Sequence, residues 1–295
     1  MSGFADLHRH LDGSLRKSTL LELADRNGMQ VPRDLAFRKG IGLEAALERF
    51  ALVLSLIQNP REVERVAAEI CEDALRDGVT TLEIRFAPQL HCGAPMEEIV
   101  DAATSGVAGR AGLILCGLYG EPPELLNRLV SCASTRKSVV GIDIAGSPAM
   151  MNFPIEEYTP AFKRAADIGL GRTVHSGEGR PAMEIANAVR ALRPNRLGHA
   201  TTLLDDSKLV DTVLAQGIVV EACVTSNVHT GAVSEAELHP LPKWAARGIR
   251  VCICTDNTLL SDTNAQAENE QAARLVSTDE LNRMIETGHA AAFRR

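Results

Sequence analysis

The sequence of 295 residues predicts an α/β fold, a (β/α)8 barrel of the TIM type with extra helices inserted after the first strand. Short β-branched runs alternate with longer amphipathic stretches eight times, and eight parallel strands close a sheet into a barrel. The glycine-rich phosphate turn that opens many doubly wound sheets is absent after the first strand. We therefore expect residues 1–295 to form a single barrel domain.

The predicted strands are short runs bounded by turn residues. They cover residues 4–10, 80–87, 111–119, 139–145, 171–177, 196–203, 218–226 and 249–256. Amphipathic patterns predict helices at 61–77, 97–110, 123–135, 155–168, 182–193 and 205–216. Gly78 follows the first of these helices, where a helix C-terminus favours glycine. The apolar face of the helix predicted at 61–77 is expected to contain Val63, Val66, Ala67, Ile70, Ala74 and Leu75.

The gap between the first two strands is longer than a crossover connection requires. It contains two further helical patterns, near residues 17–27 and 43–58. We expect this insert to lie over the mouth of the barrel, where it can act as a lid.

Composition excludes several classes of function. The net charge of −7 and an aromatic content of 3% disfavour nucleic-acid binding. No apolar run approaches the length of a membrane span, and the N-terminal residues resemble neither a signal nor a transit peptide, so we expect a cytoplasmic protein without membrane contact. The seven scattered cysteines predict reduced thiols, and Cys252 and Cys254 are expected to be packing residues rather than metal ligands.

Ionisable side chains cluster where the predicted strands end, which is where the active sites of barrel enzymes lie. Strand 1 ends with His8 and His10, whose side chains point the same way because they are two residues apart. Strand 8 ends at Asp256, and in a closed barrel it is the neighbour of strand 1. His175 ends strand 5. Three imidazoles and a carboxylate suit one zinc ion with a coordinated water as nucleophile.

Two further residues complete the predicted chemistry. Glu178 lies three residues beyond His175, where it can donate or accept a proton, and His199 is a second acid or base. Each residue alone also has a structural interpretation, as a core histidine or a helix-capping carboxylate. One metal site explains them together. The remaining histidines are expected to be structural or solvated, namely His91, His229, His239 and His289.

Seven segments in chain order carry a resemblance to a known family. They are HRHLDGS at 8–14, EIRFAP at 83–88, DIAG at 143–146, HSGE at 175–178, GHA at 198–200, TSN at 225–227 and TDN at 255–257. With these segments the chain resembles the adenosine deaminase branch of the amidohydrolase superfamily. Members of this branch are metal-dependent purine deaminases.

The resemblance implies a role for each matched position. It implies zinc bound by His8, His10, His175 and Asp256, with Glu178 protonating the purine nitrogen beside the reacting carbon. His199 and Asp256 would orient the attacking water. The implied substrate contacts come from His10, Asp12, Gly146 and Asn257, with Asp12 meeting a sugar hydroxyl and the Gly146 backbone approaching the purine.

The chain departs from the family pattern at some of these positions. Asn257 stands where the family usually has a second Asp, and an amide donates a hydrogen bond at any pH, whereas a carboxyl must be protonated. Ala200 stands where Gly is usual, and Val224 where Pro is usual.

The expected reaction is hydrolysis of a 6-aminopurine nucleoside, adenosine or a close relative, to the 6-oxo product and ammonia. Adenine or a modified adenosine such as aminodeoxyfutalosine is an alternative substrate, and a non-catalytic purine-binding barrel is an alternative function. A two-metal amidohydrolase is disfavoured because residues 139–146 contain no Lys or Glu to bridge two ions. The expected partner is a small purine, and the sequence does not predict the oligomeric state.

Overall fold

The architecture is taken from a computed structural model that describes residues 3–147 and 152–294. Parallel strands pair in chain order to form one eight-stranded sheet, which confirms the predicted barrel. The strands are β1 (Phe4–His10), β2 (Val79–Phe86), β3 (Gly112–Leu118), β4 (Val139–Ala145), β5 (Gly171–Ser176), β6 (Arg196–His199), β7 (Val219–Ala222) and β8 (Arg250–Ile253).

The barrel closes between β1 and the residues that follow β8. Arg9 and Asp256 form a parallel bridge. The amide of His10 donates to the Asp256 carbonyl at 2.8 Å, and the amide of Asp256 donates to the His8 carbonyl at the same distance. Closure of the sheet therefore fixes the two histidines of β1 beside Asp256.

Helices surround the sheet. They are α1 (Lys17–Arg26), α2 (Leu43–Leu54), α3 (Pro60–Arg76), α4 (Met96–Val107), α5 (Pro123–Ser134), α6 (Thr159–Asp167), α7 (Ala182–Leu192), α8 (Ser207–Gln216), α9 (Val224–His229), α10 (Leu241–Ala246), α11 (Ala265–Ala273) and α12 (Thr278–Ala291). Within the described residues, none of these helices combines the length and the apolar character that crossing a membrane requires.

The two inserted helices occupy different places. Thr19 of α1 donates a hydrogen bond of 2.6 Å to Glu69, so α1 packs on α3. Helix α2 instead lines the cavity at the barrel mouth with apolar side chains, among them Leu43, Leu47 and Phe50. Of the two helices, only α2 therefore occupies the position expected for a lid.

Helix α3 confirms most of its predicted pattern. Pro60 takes the first helical position, and Asn59 and Glu62 form a capping box. Five of the six predicted face residues are buried, but Leu75 is 69% exposed, so its assignment to that face was wrong. At 100° per residue Leu75 lies well away from the stripe centred on Ala67 and Ile70.

Three predicted strands end three or more residues earlier than their sequences indicated. β6 stops at His199 because His199 and Ala200 adopt left-handed φ angles of 64° and 49°. β7 stops at Ala222, and Ser226 and its neighbours belong to helix α9 rather than to a strand. β8 stops at Ile253, and Asp256 has a φ of 63°. These backbone turns direct polar side chains at the strand ends into the barrel mouth.

Charged side chains project into the inside of the barrel. On β2, Glu83 and Arg85 alternate with Ile84 and Phe86, which belong to the apolar core packed under the helices. Glu83 and Arg85 contact charged groups on β4, β6 and β7, which is possible only across the barrel interior.

The C-terminal segment covers the end of the barrel opposite the mouth. The Arg196 guanidinium carbon lies 3.6 Å from the centre of the Phe293 ring, and the Phe293 amide donates to Glu83 at 2.5 Å. A Cβ at Gly171 would lie 2.1 Å from Phe293 Cγ, so this glycine makes room for the ring. Phe293 therefore packs directly on the buried charges.

Replacing Phe293 with Ala is expected to lower the free energy of unfolding by about 3 kcal/mol, because it leaves a cavity beside the Arg196 guanidinium. Urea denaturation measures the change. The control is Leu75→Ala, which removes an exposed apolar side chain and should change stability by no more than about 0.5 kcal/mol. Equal effects of the two substitutions would show that Phe293 does not close the barrel.

Candidate active site

A cavity of about 440 Å³ opens at the carboxyl ends of the strands. Its volume is typical of small-molecule sites. All of the predicted site residues except His8 line it, namely His10, Asp12, Gly146, His175, Glu178, His199, Asp256 and Asn257. The structure thus brings together residues from the first to the last strand.

The predicted metal ligands converge behind this cavity. His8 Nε2 and His10 Nε2 lie 3.6 and 3.4 Å from Asp256 Oδ1. His10 Nε2 also lies 3.1 Å from His175 Nε2. Four donor groups from β1, β5 and the turn after β8 therefore face one small volume.

The protonation state of the His8 ring is the one that a metal ligand needs. Its Nδ1 lies 2.7 Å from the Glu221 carboxylate, which places the ring proton on Nδ1 and a lone pair on Nε2. His8 Nε2 is buried and has no hydrogen-bond partner. Burial, together with the positive charge of Arg85, lowers the pKa of His8 well below its usual value, so the ring is neutral. A divalent cation would satisfy this orphaned nitrogen.

More than one set of donors is close enough to hold an ion. The potential ligand atoms lie within 4.8 Å of one another in His8, His10 and Asp256, in His8, His175 and His199, and in His199, Cys223 and Asp256. Cys223 was not among the donors expected from the sequence. Nitrogen and oxygen donors in this number suit zinc.

Buried ion pairs hold two of these histidines from behind. Arg85 donates to Asp143 and to Glu221, each at 2.9 Å, and Asp143 Oδ2 lies 2.9 Å from His175 Nδ1. Burial by itself would raise the pKa of Asp143. The charges of His175 and Arg85 have the larger combined effect and hold this pKa well below its usual value. Arg85 thus links the supports of His8 and His175.

Sequence reasoning did not assign roles to these supporting residues. Arg85 and Asp143 lie in the segments that carry the family resemblance, and Glu221 lies in an otherwise apolar strand. A charged residue in a strand that is buried on both faces is the signal that indicates such a support.

Glu178 faces the cavity in a partly buried position. The Thr230 hydroxyl donates to its Oε1 at 2.8 Å, and its Oε2 lies 3.8 Å from His199 Nε2. Burial raises the pKa of the Glu178 carboxyl. A carboxyl group with a raised pKa can carry a proton to a bound ligand.

The substrate-contact residues that the resemblance implies also line this cavity. Burial raises the pKa of Asp12 to about 6, and Asp12 Oδ1 is buried without a hydrogen-bond partner. Asn257 Oδ1 is likewise buried and without a partner. Gly146 has a φ of 84°, which glycine adopts without strain.

The other histidines differ in their surroundings. His91 Nδ1 bonds the Ile57 carbonyl at 2.6 Å, and His289 Nε2 bonds the Gly3 carbonyl at 2.7 Å, as structural histidines do. His239 is different, because a single residue, Asn227, connects it to His199.

Nearly the whole chain is similar to known adenosine deaminases. The model of the adenosine deaminase family matches residues 4–293. An adenosine deaminase of Clostridium kluyveri is 34% identical over 310 residues, covering 98% of this chain and 88% of the relative.

Solved structures give the same fold. An adenine deaminase of Arthrobacter aurescens superimposes with a TM-score of 0.90 at 23% identity, covering 100% of this chain and 95% of the other. An Arabidopsis N6-mAMP deaminase superimposes with a TM-score of 0.88 at 26% identity, covering 99% and 94% of the two chains.

Replacing Glu221 with Gln is expected to weaken metal binding by about 10–100-fold, because the neutral amide holds the His8 Nδ1 proton less strongly than a carboxylate does. Titration with a competing chelator measures the affinity. The control is Glu69→Gln, a buried carboxylate that contacts α1, which should not change the affinity. Unchanged affinity in the Glu221 variant would contradict the supporting role.

Proposed function

The chain belongs to the adenosine deaminase family and is a hydrolase of carbon–nitrogen bonds in cyclic amidines, and from this premise we propose that it deaminates a 6-aminopurine nucleoside. Water replaces the 6-amino group, and the products are the 6-oxo nucleoside and ammonia. The observation that carries the proposal is that Glu178 and His199 line the same cavity as the donors His10, His175 and Asp256. His8 converges on these donors from behind the cavity.

The proposed metal is one zinc ion per chain, held by His8, His10, His175 and Asp256. When bound, a zinc ion lowers the pKa of water towards 7 and supplies a nucleophile at neutral pH. The lone pair of His8 Nε2 and the positions of the other donors support this assignment.

Glu178 is the proposed proton donor to the purine. Its raised pKa and its place at the cavity allow it to hold a proton on the ring nitrogen beside the reacting carbon. That proton makes the carbon more electrophilic and so favours attack by water. His199 and Asp256, whose potential ligand atoms lie within 4.8 Å of each other, would orient the attacking water.

Asp12 supports a nucleoside in preference to a free base. Its Oδ1 lacks a hydrogen-bond donor in a buried position, and a sugar hydroxyl would supply one. A free purine base carries no such hydroxyl.

Charge supports a nucleoside in preference to a nucleotide. Among the described residues that line the cavity there is no lysine or arginine, whereas Asp12 and Glu121 both line it. A phosphate group would therefore be desolvated near carboxylates without a cationic partner.

Replacing Glu178 with Gln is expected to lower kcat by about 10²–10⁴-fold while the metal content stays the same, because the amide cannot transfer a proton. Loss of the adenosine absorbance measures turnover, and elemental analysis measures the metal. The control is Glu237→Gln, an exposed carboxylate outside the cavity, which should leave both unchanged. Near-normal turnover in the Glu178 variant would contradict its assignment.

Adenosine is expected to exceed AMP in kcat/KM by about 100-fold or more, because the phosphate would be buried without a cation. The same assay includes adenine, N6-methyl-AMP and aminodeoxyfutalosine. Asp12→Ala should lower kcat/KM for adenosine by about 10-fold or more and leave adenine unaffected. AMP turned over as well as adenosine, or an equal loss for adenosine and adenine, would contradict the nucleoside assignment.

A further inference from the structure

A chain of buried hydrogen bonds joins His239 to His199 through Asn227. His239 Nε2 lies 3.2 Å from Asn227 Oδ1, and Asn227 Nδ2 lies 3.0 Å from His199 Nδ1. The three residues are at most 2% exposed, so solvent does not compete for these contacts. Neither His239 nor Asn227 has a role in the proposed reaction.

One backbone group fixes the direction of every bond in this chain. The amide of Leu241, at the start of α10, lies 3.1 Å from His239 Nδ1. A backbone N–H can only donate, so His239 Nδ1 accepts and the ring carries its proton on Nε2. That proton is donated to Asn227 Oδ1, which leaves the Asn227 NH2 group to donate to His199 Nδ1.

The Asn227 amide in turn sets the protonation of His199. Because His199 Nδ1 accepts a hydrogen bond, it carries no proton, and the ring proton must lie on Nε2. A flip of the Asn227 amide would place its NH2 group against the N–H of His239, two donors in contact. Burial, the main cause, lowers the pKa of His239 to about 4, so His239 stays neutral near pH 7.

We propose that His239 is a positioning residue that acts through Asn227 to hold His199 in the tautomer with its proton on Nε2. The catalytic importance of His199 in this inference rests on the proposed function. The assignment of its tautomer does not, because it follows from the hydrogen bonds alone. The contacts that carry it all lie on the side of His199 away from the cavity.

The tautomer decides between the candidate groups of metal donors. His199 lies in two of the three groups, one with His8 and His175 and one with Cys223 and Asp256, and a neutral imidazole needs a lone pair on Nε2 to join either. That would move the proton to Nδ1, against the NH2 group of Asn227. His199 is therefore kept out of the ligand set, and its protonated Nε2 lies 3.8 Å from Glu178 Oε2 at the cavity.

The packing around His239 keeps this arrangement in place. The rings of His239 and Trp244 meet edge to face with centres 5.3 Å apart. The Asn227 carbonyl accepts from the Val233 amide at 2.9 Å, which fixes the backbone from which the side chain projects. His239 thus makes two contacts: its Nδ1 accepts from the first amide of α10, and its Nε2–H orients the side-chain amide of Asn227.

The direct test is long-range ¹H–¹⁵N NMR of the metal-bound protein labelled with ¹⁵N-histidine, which distinguishes protonated, unprotonated and metal-bound ring nitrogens. The expected result is a protonated Nε2 and an unprotonated Nδ1 at His199. A protonated Nδ1, or an Nε2 bound to the metal, would overturn the proposal. The readout needs no substrate, so it stands even if no purine is turned over.

Three variants separate positioning from packing. His239→Leu removes the donor and should shift His199 towards the Nδ1–H form, while kcat falls by about 10–100-fold and KM changes little. His239→Gln keeps an N–H donor near the position of Nε2 and should restore both the tautomer and most of kcat. His91→Leu, a buried histidine outside the chain of bonds, should leave the His199 spectrum unchanged.

Two outcomes with these variants would contradict the positioning role. One is an unchanged His199 tautomer in His239→Leu, and the other is an equal loss of kcat in His239→Gln and His239→Leu with unequal tautomers. If the wild type turned over no 6-aminopurine nucleoside, the proposed function would be refuted, but the tautomer result would still stand.

Discussion

The backbone bridge that closes the barrel is the contact on which the site depends. The two hydrogen bonds between β1 and Asp256 join residues almost 250 positions apart and place His8 Nε2 and His10 Nε2 within 3.6 Å of Asp256 Oδ1. No local sequence feature can create that proximity. It exists because eight parallel strands, paired in chain order, return the chain to its starting edge.

Closure alone would not hold the imidazole rings in one orientation. Buried charges do so, with Arg85 between Asp143 and Glu221, and Arg196 between Glu221 and Glu83. Such pairs add little net stability, because burying each charge costs about as much as the pairing returns, although removing one partner costs about 3–5 kcal/mol. Their main effect is therefore to orient His8 and His175, and the left-handed backbone at His199 and Asp256 is a further cost, about 1–3 kcal/mol each, that the surrounding contacts offset.

Much of the fold was predictable because it is repetitive. Eight alternations, apolar strands and the helix pattern of α3 follow local rules, and the histidines at strand ends followed from where barrel sites lie. The strand ends were not predictable in detail: five of the nine residues in the run 218–226 are β-branched, and only the backbone bond from the Asn227 amide to the Cys223 carbonyl shows where the run becomes helical. The supports at Glu221 and His239 depend on neighbours far apart in sequence, which periodicity does not reveal.

X-ray absorption spectroscopy of the zinc-loaded protein tests the central claim, that the ends of β1, β5 and β8 hold one ion. The account predicts one zinc per chain with only nitrogen and oxygen neighbours at about 2.0–2.2 Å, including the multiple-scattering signature of imidazoles. A sulfur neighbour at about 2.3 Å, which Cys223 would supply, or a second metal in the same site would contradict it.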